Sequence, residues 1–375
     1  MAVNVLIISS AISPNGGTIG KIRKLITTSN GINYSIYFVC NKQNIANAKE
    51  EDSFYRCNGI KAFYGNYGRN LFRFALDIHN VVKQEKIDIV HFYFNVEHSF
   101  VLVLKLLCPK TIYVRSFVGY IPLSGLQKRL MSLVIRMVDN YIYISKYIEA
   151  MYQKDFKQLK SKKGPGSRST PKGTIIYNCP VNVAKVSDSQ ERNLVLYVGG
   201  LNRHKNVFLL VEMMNQVVNT YRRSDIILTI IGDGPCREDL EKMIHEYGIA
   251  DNVRLLGYKK NIADYLNKTQ IYVHPATNEG FGISVVEAMF MKCPCMVANA
   301  SALPELVDEH CGYILPPSDS TAWAKQLIAM VDNPSLCCRM GEEASKRARK
   351  MFSEEAFVHN HDNYYRSLIK SNHRQ

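Results

Sequence analysis

No apolar run in this chain approaches the about 18–20 residues needed to cross a bilayer. The nearest, Phe100-Val101-Leu102-Val103-Leu104, is broken by Lys105, so a membrane-spanning protein is not expected. No C-x-x-C occurs among the ten cysteines, and only Cys293/Cys295 and Cys337/Cys338 lie close together. Thiols scattered through apolar segments, in a chain that opens without a signal peptide, suggest a reducing cytoplasm. Acidic residues are scarce in one half. Residues 1–178 hold 25 Lys and Arg against 10 Asp and Glu, a net +15, whereas residues 179–375 hold 22 against 23, a net −1. Such asymmetry points to a polyanion or an anionic membrane surface as partner of the basic half. A nucleic acid would also answer to the charge, but no reading motif accompanies it.

What is present describes a globular protein. At 375 residues, with 46% hydrophobic residues and 22 glycines, the chain is long enough for two ordinary domains. Apolar runs alternate with helix-like segments throughout, the pattern of parallel sheets with crossover helices. In the first half strands are expected at Val3–Ile8, Tyr34–Val39, Ile60–Phe63, Ile87–Phe94, Thr111–Phe117, Tyr141–Ile144 and Thr174–Tyr177. Helices are expected over Gly16–Ser29, Leu71–Val82, Glu97–Leu107 and Gly125–Val138, with a basic Gly/Pro/Ser loop at 157–172 and a polar linker at 179–192. The second half repeats the pattern with strands at Leu194–Val198, Ile226–Ile231, Val253–Leu256, Ile271–His274, Cys295–Ala298 and Gly312–Leu315. Its helices fall at Asn206–Thr220, Cys236–Tyr247, Ala263–Asn267 and Ile283–Met291, followed by Trp323–Val331, Pro334–Met351 and Glu354–Ile369. The fold class is therefore α/β, with domains at 1–178 and 179–352 and a closing helix over 353–375.

One stretch organises the second half. Thr277-Asn278-Glu279-Gly280-Phe281-Gly282-Ile283 joins a short buried strand to a helix that is apolar almost all round. Gly280 and Gly282 allow a positive φ and close approach of a ligand. The helix beginning at Ile283 offers unpaired amides and a positive dipole end, which suits a phosphate. Glu279 sits in the turn and Glu287 about one turn inside the helix. Two carboxylates beside an anion site suit hydroxyl-rich groups attached to a phosphate, as in a nucleotide sugar.

Glu279 and Glu287, seven residues apart, resemble the E-x7-E motif of retaining glycosyltransferases with the GT-B architecture, and Glu-Gly-Phe-Gly…Val-Glu-Ala-Met is similar to family GT4, glycosyltransferase group 1. The resemblance implies two Rossmann-like domains facing a cleft, with the last helix crossing back onto the N-terminal domain. It implies that Glu279 faces the donor sugar, that Glu287 holds the ribose hydroxyls, and that Phe281, Gly282 and Ile283 present backbone to sugar and diphosphate.

Other motifs follow in the family's order. Gly199-Gly200-Leu201-Asn202-Arg203-His204-Lys205 resembles the Gly-Arg-Leu…Lys-Gly diphosphate motif. Lys205 matches its Lys. Gly200 replaces its Arg, whose place by the diphosphate is then either empty or taken by Arg203; a solvated basic turn is the alternative that the second motif downstream weighs against. Gly232-Asp233-Gly234-Pro235 is similar to a family turn, with a structural role expected for Asp233. Gly257 and Tyr258 occupy the stretch that borders the nucleobase in the family. Ser301-Ala302 replaces the glycines of the Gly-Gly-x-Pro-Glu turn, leaving Glu305 either structural or functional. Gly16-Gly17 after the first strand fails as a P-loop, because Asn15 and Ile22 stand where Gly and a hydroxyl are needed. Its placement matches the family's glycine loop, with Gly17 facing donor phosphates. The family's N-domain His has no counterpart at Arg115-Ser116, and Arg115 reads equally as a substrate contact or an ion-paired strand end. His91 and His98 lack further ligands for a metal. No Asp-x-Asp occurs, in keeping with metal-independent chemistry and no cofactor beyond the donor. The basic helix Leu126–Met137 is either an anionic-membrane helix or an ordinary sheet cover.

The resulting expectation is a retaining glycosyltransferase moving a hexose from a nucleoside-diphosphate sugar to a lipid-linked or polysaccharide acceptor. Glu279 and Lys205 are its catalytic candidates, and the setting is bacterial envelope polysaccharide assembly at the cytoplasmic membrane face. A GT-B enzyme of other chemistry (an epimerase or a phosphorylase) and a basic nucleic-acid-binding protein stay open as alternatives.

Overall fold

The computed structural model describes residues 2–10, 17–40, 52–66, 70–93, 99–122, 138, 140–160, 173–181, 183, 186 and 191–372. Two compact units divide the chain: Met1–Tyr177 together with Glu354–Gln375, and Asn178–Ser353.

The first unit is built on one parallel sheet of β1 (Val3–Ser9), β2 (Ile32–Cys40), β3 (Lys61–Asn66), β4 (Ile89–Phe92), β5 (Ile112–Phe117), β6 (Asn140–Tyr143) and β7 (Gly173–Ile175). Their spatial order is β3-β2-β1-β4-β5-β6-β7. Val5 to Ile8 of the central β1 are fully buried, because a parallel sheet carries helices on both faces and its strands read as unbroken apolar runs.

The helix Glu354–Asn372 belongs to this unit and is fastened to it by polar groups as well as apolar ones. Asp362 accepts hydrogen bonds from Ser29 Oγ at 2.7 Å and from the Asn30 amide at 3.3 Å. His361 commits Nδ1–H to the Phe357 carbonyl at 2.9 Å, so its Nε2 accepts from the Tyr93 hydroxyl at 3.0 Å. His91 lies between the Tyr365 hydroxyl at 2.5 Å and Ser116 Oγ at 2.8 Å. Burial holds His361 down to about 4 and His91 well below the ordinary range. Both rings are neutral core residues, and His91 is a link in a buried chain rather than a metal ligand.

The second unit repeats the plan with β8 (Leu194–Val198), β9 (Leu228–Ile231), β10 (Val253–Leu255), β11 (Thr269–His274), β12 (Cys295–Ala298) and β13 (Gly312–Leu315) in the order β10-β9-β8-β11-β12-β13, all parallel. The order reverses between β8 and β11, and crevices at the carboxyl ends of strands flanking such a switch are where open α/β sheets bind ligands. Two glycines make the turns at this edge possible. Gly232 has φ +140°, and a Cβ there would stand 1.9 Å from the Gly199 carbonyl oxygen. The turns after β8 and β9 therefore stack backbone on backbone.

The structure corrects several expectations. The segment expected as one helix over Asn206–Thr220 is helical from Val207, but only Val207–Asn215 is α and Gln216–Thr220 is a π-turn; a 3-10 turn (Arg203–Lys205) precedes it. Residues 157–160, expected as loop, end the helix Lys146–Lys160, whose sequence holds no Gly or Pro to stop it. The helices Asp52–Cys57 and Leu303–Leu306 went unforeseen. The expected helix Gly125–Val138 apart from Val138, together with Gly16, His98 and most of the basic loop, lies outside the described residues. Among the described residues no helix is long and apolar enough to cross a membrane.

Gly232→Ala should destabilise the protein by about 2–4 kcal/mol, through the clash with Gly199 and a φ unsuited to any side chain. A urea-denaturation midpoint close to wild type would show that the two turns can part at little cost.

Candidate functional site

The site grows from two turns at the carboxyl edge of the second sheet. The first follows β8, where Asn202 and Arg203 lead into Lys205. Asn206 closes this turn at φ +56°, ψ +34°, a left-handed conformation at the position of the motif's glycine. Asn tolerates that region because its short amide can bond locally. Here Nδ2 donates to the carbonyls of Pro275 at 3.2 Å and Pro317 at 2.8 Å. The second turn follows β11 and runs from Pro275 to Gly282. The two are stitched together at the His204 carbonyl, which accepts from the amides of Thr277 at 3.0 Å and Asn278 at 3.3 Å.

This stitching brings Lys205 and Glu279, 74 residues apart in sequence, to 2.5 Å between Nζ and Oε2. Their side chains keep 19% and 17% of their surface exposed, so the pair is shielded yet reachable. The same Oε2 faces His274 Nε2 at 3.4 Å. Burial alone would raise the Glu279 carboxyl, but the His274 hydrogen bond and the Lys205 ammonium overcome it and hold it at about 2. Ser301 supports the turn from below, accepting the Glu279 amide on Oγ at 3.0 Å. Ser301, which stands where the motif has glycine, takes φ +54°, a left-handed conformation.

The second carboxylate is differently placed. Gly282, at φ +103°, caps the helix Ile283–Phe290, and Glu287 points from its second turn. Burial pushes the Glu287 carboxyl up to about 6, and no described residue hydrogen-bonds it. A half-buried carboxylate without a partner weighs against the fold, which is understandable where it serves a ligand's hydroxyls.

The remaining candidates separate. Arg203 is exposed, its guanidinium 5.9 Å from the Phe208 ring, and forms no ion pair in the described structure. Gly200 leaves its space to Asn202, whose Nδ2 would lie 2.9 Å from a Cβ at position 200. Phe281 is buried against Phe352, with ring centroids 5.6 Å apart, so only its backbone can face a ligand. Gly257 takes φ +66° at the end of β10 and accepts the Gly232 amide at 2.9 Å, beside Tyr258, whose side chain is 76% exposed. Gly17 begins the first helix of the other unit, with nothing within 4 Å of a Cβ. Asp233 accepts from its neighbouring Gly234 amide at 2.8 Å, as a turn residue does. Arg115 is buried, its guanidinium 4.5 Å from the Phe117 ring. His274 escaped the sequence reading because it ends an apolar strand; its position at a strand's carboxyl end was the available signal.

Over its full length the chain has the GT-B fold. It is similar to HepE of Anabaena, a structure solved with UDP, at a TM-score of 0.74 and 16% identity, covering 98% of this chain and 100% of that one. Residues 182–347, most of the second unit, match the glycosyl transferases group 1 model. It is 30% identical over 169 residues to the alpha-D-kanosaminyltransferase of Streptomyces kanamyceticus, a match covering 44% of this chain and 43% of that protein. It is 27% identical over 181 residues to the lipopolysaccharide core biosynthesis glycosyltransferase LpsD of Rhizobium meliloti, covering 48% and 51%. The chain spans about half the length of these curated relatives.

The two carboxylates should act on stability with opposite signs. Glu279 is lowered from 4.5 to about 2, so its contribution is complete above about pH 4.5 and fades as pH falls towards 2. Lys205→Met should cost about 1–3 kcal/mol at pH 7. Glu287 is raised from 4.5 to about 6, so its contribution is complete below about pH 4.5 and is lost as pH rises through 6. Glu287→Gln should therefore match wild type at pH 4 and exceed it by about 1 kcal/mol at pH 8. Urea unfolding at several pH values tests both; a Glu287→Gln difference independent of pH would refute the burial of that charge.

Proposed function

We propose that the protein is a retaining glycosyltransferase that moves a hexose from a nucleoside-diphosphate sugar to a hydroxyl of a lipid-linked or polysaccharide acceptor in bacterial envelope polysaccharide assembly, such as O-antigen or capsule. The observation that carries this reading is the Lys205–Glu279 pair on the turns leading to the helix Ile283–Phe290, with the unpartnered Glu287 in that helix's second turn, at the carboxyl edge of a parallel sheet. The cation and the amides of the first helical turn answer the charge that develops on a leaving diphosphate, a metal-independent mode. Glu279 orients the sugar and Glu287 accepts from the ribose hydroxyls. The reaction exchanges the glycosidic bond to phosphate for one to the acceptor oxygen on the same face, and the leaving phosphate takes the acceptor's proton. The family of the second domain supports the reaction, and LpsD supports the envelope setting. The UDP in HepE makes uridine the first nucleotide to try.

Glu287→Ala should weaken nucleotide binding about ten- to a hundredfold, since hydrogen bonds to a charged group are worth roughly 1.5–3 kcal/mol. Titration calorimetry with UDP, and with GDP as the alternative, measures it. Unchanged affinity in a folded variant would remove Glu287 from the site.

The acceptor assignment leans on the +15 charge of residues 1–178. If that half meets anionic lipid, the chain should sediment with vesicles containing phosphatidylglycerol at low salt and leave them at high salt, since each basic residue contributes about 1 kcal/mol within a Debye length. Protein that stays in the supernatant at low salt would assign the charge to an acidic acceptor.

A further inference from the structure

We infer that His274 is the positioning residue that keeps the Glu279 carboxylate charged and in place when Lys205 turns from it to the donor diphosphate; this rests on the nucleotide-sugar reading above. In the structure one carboxylate oxygen answers two donors, Lys205 Nζ at 2.5 Å and His274 Nε2 at 3.4 Å. The proposed reaction gives the two charged groups separate tasks, the ammonium on phosphate and the carboxylate on sugar. A diphosphate that draws Lys205 away leaves a largely buried carboxylate without its cation, which favours its neutral form and loosens its orientation. A second donor on the same oxygen is what prevents this.

His274 has the properties of that donor. It is 1% exposed at the end of β11, and its ring lies near-parallel to those of Tyr197 (21°, centroids 5.6 Å apart) and Tyr272 (13°, 6.2 Å), which fix its plane. The hydroxyls of these tyrosines are committed elsewhere, to the carbonyls of Gly200 and Val198, each at 3.1 Å. The charged groups facing the ring are Glu279 and Lys205. Nδ1 is buried with no hydrogen-bond partner. A proton there would be a buried donor with nothing to receive it, so the proton of the neutral ring resides on Nε2 and points at Glu279 Oε2. Burial, the largest influence on the ring, keeps it neutral beside the carboxylate. A histidine kept only for packing normally satisfies both nitrogens. This one makes a single polar contact, and that contact is the site carboxylate. Lys205 shares that oxygen, and once the ammonium leaves it the carboxylate is free to close on Nε2.

Two measurements decide the matter. The first needs no substrate: carbon-13 carboxyl NMR follows Glu279 through a pH titration in Lys205→Met, Lys205→Met/His274→Leu and Lys205→Met/His274→Gln. Loss of His274 to Leu should make Glu279 an about tenfold weaker acid, and Gln, which still offers an N–H, should recover most of the difference. Identical titrations in all three overturn the inference. If the Leu variant does not fold, nitrogen-15 NMR of wild type decides instead, since a His274 protonated on Nδ1 also overturns it. The second measurement is turnover of UDP-glucose, UDP-N-acetylglucosamine and GDP-mannose. His274→Leu should lower kcat about ten- to a hundredfold with KM little changed, and Gln should rescue it; an unaltered kcat speaks against the role. If wild type turns over no nucleotide sugar, the proposed function falls, and the titration still decides what His274 does for Glu279.

Discussion

An ammonium and a carboxylate 2.5 Å apart, Lys205 and Glu279, join the two turns on which the candidate site depends. Neither turn could hold its charged side chain alone, since long side chains on short loops have rotamer freedom to lose. The backbone does the aligning. The His204 carbonyl binds the second turn, Asn206 binds its far side, and Ser301 supports the Glu279 amide. Under that arrangement the ion pair forms with little further ordering, and a ligand that competes for Lys205 meets a site already shaped.

The same edge explains why two carboxylates on one turn and helix differ so much. Glu279 is pulled to about 2 by a cation and a histidine donor, while Glu287 is pushed to about 6 by burial. Environments that separate two titratable groups in this way mark division of labour within a site. Here the charged, braced carboxylate suits a group that must stay fixed near reacting atoms. The unpartnered one suits a ligand that supplies its own hydroxyls. The cost of Glu287 to the fold is the kind of local inconsistency natural proteins keep at functional positions.

In the first unit, the polar groups that the mechanism does not use are spent on holding the terminal helix. His91, His361 and Tyr365 make buried contacts from β4 and β5 to a helix that comes more than 200 residues later in the chain, and Asp362 ties the same helix to Ser29 and Asn30. A fully satisfied buried network rigidifies and specifies its partners. It also gives His91, which stood out in the sequence near a strand end, a structural role between Tyr365 and Ser116.

Strands β8, β12 and β13, the helix Pro334–Met351 and the Glu279-to-Glu287 stretch were legible in the sequence, because apolar period, glycine and carboxylate spacing are local signals. The sequence by itself determined the α/β class, the excess charge of the first half and the identity of the turn that carries the site. Other features had no local signal. Asn206 and Ser301 take left-handed conformations that a non-glycine residue does not announce. The π-turn at Gln216–Thr220 reads as ordinary helix, and His274 reads as one more residue of a buried strand. Only the tertiary structure decided that Lys205, rather than Arg203, meets Glu279, and that His274 meets it from the other side. The first contact spans 74 residues and exists because neighbouring parallel strands bring the turns at their carboxyl ends together; the second spans 5 and exists because the turn after β11 folds back on the end of that strand.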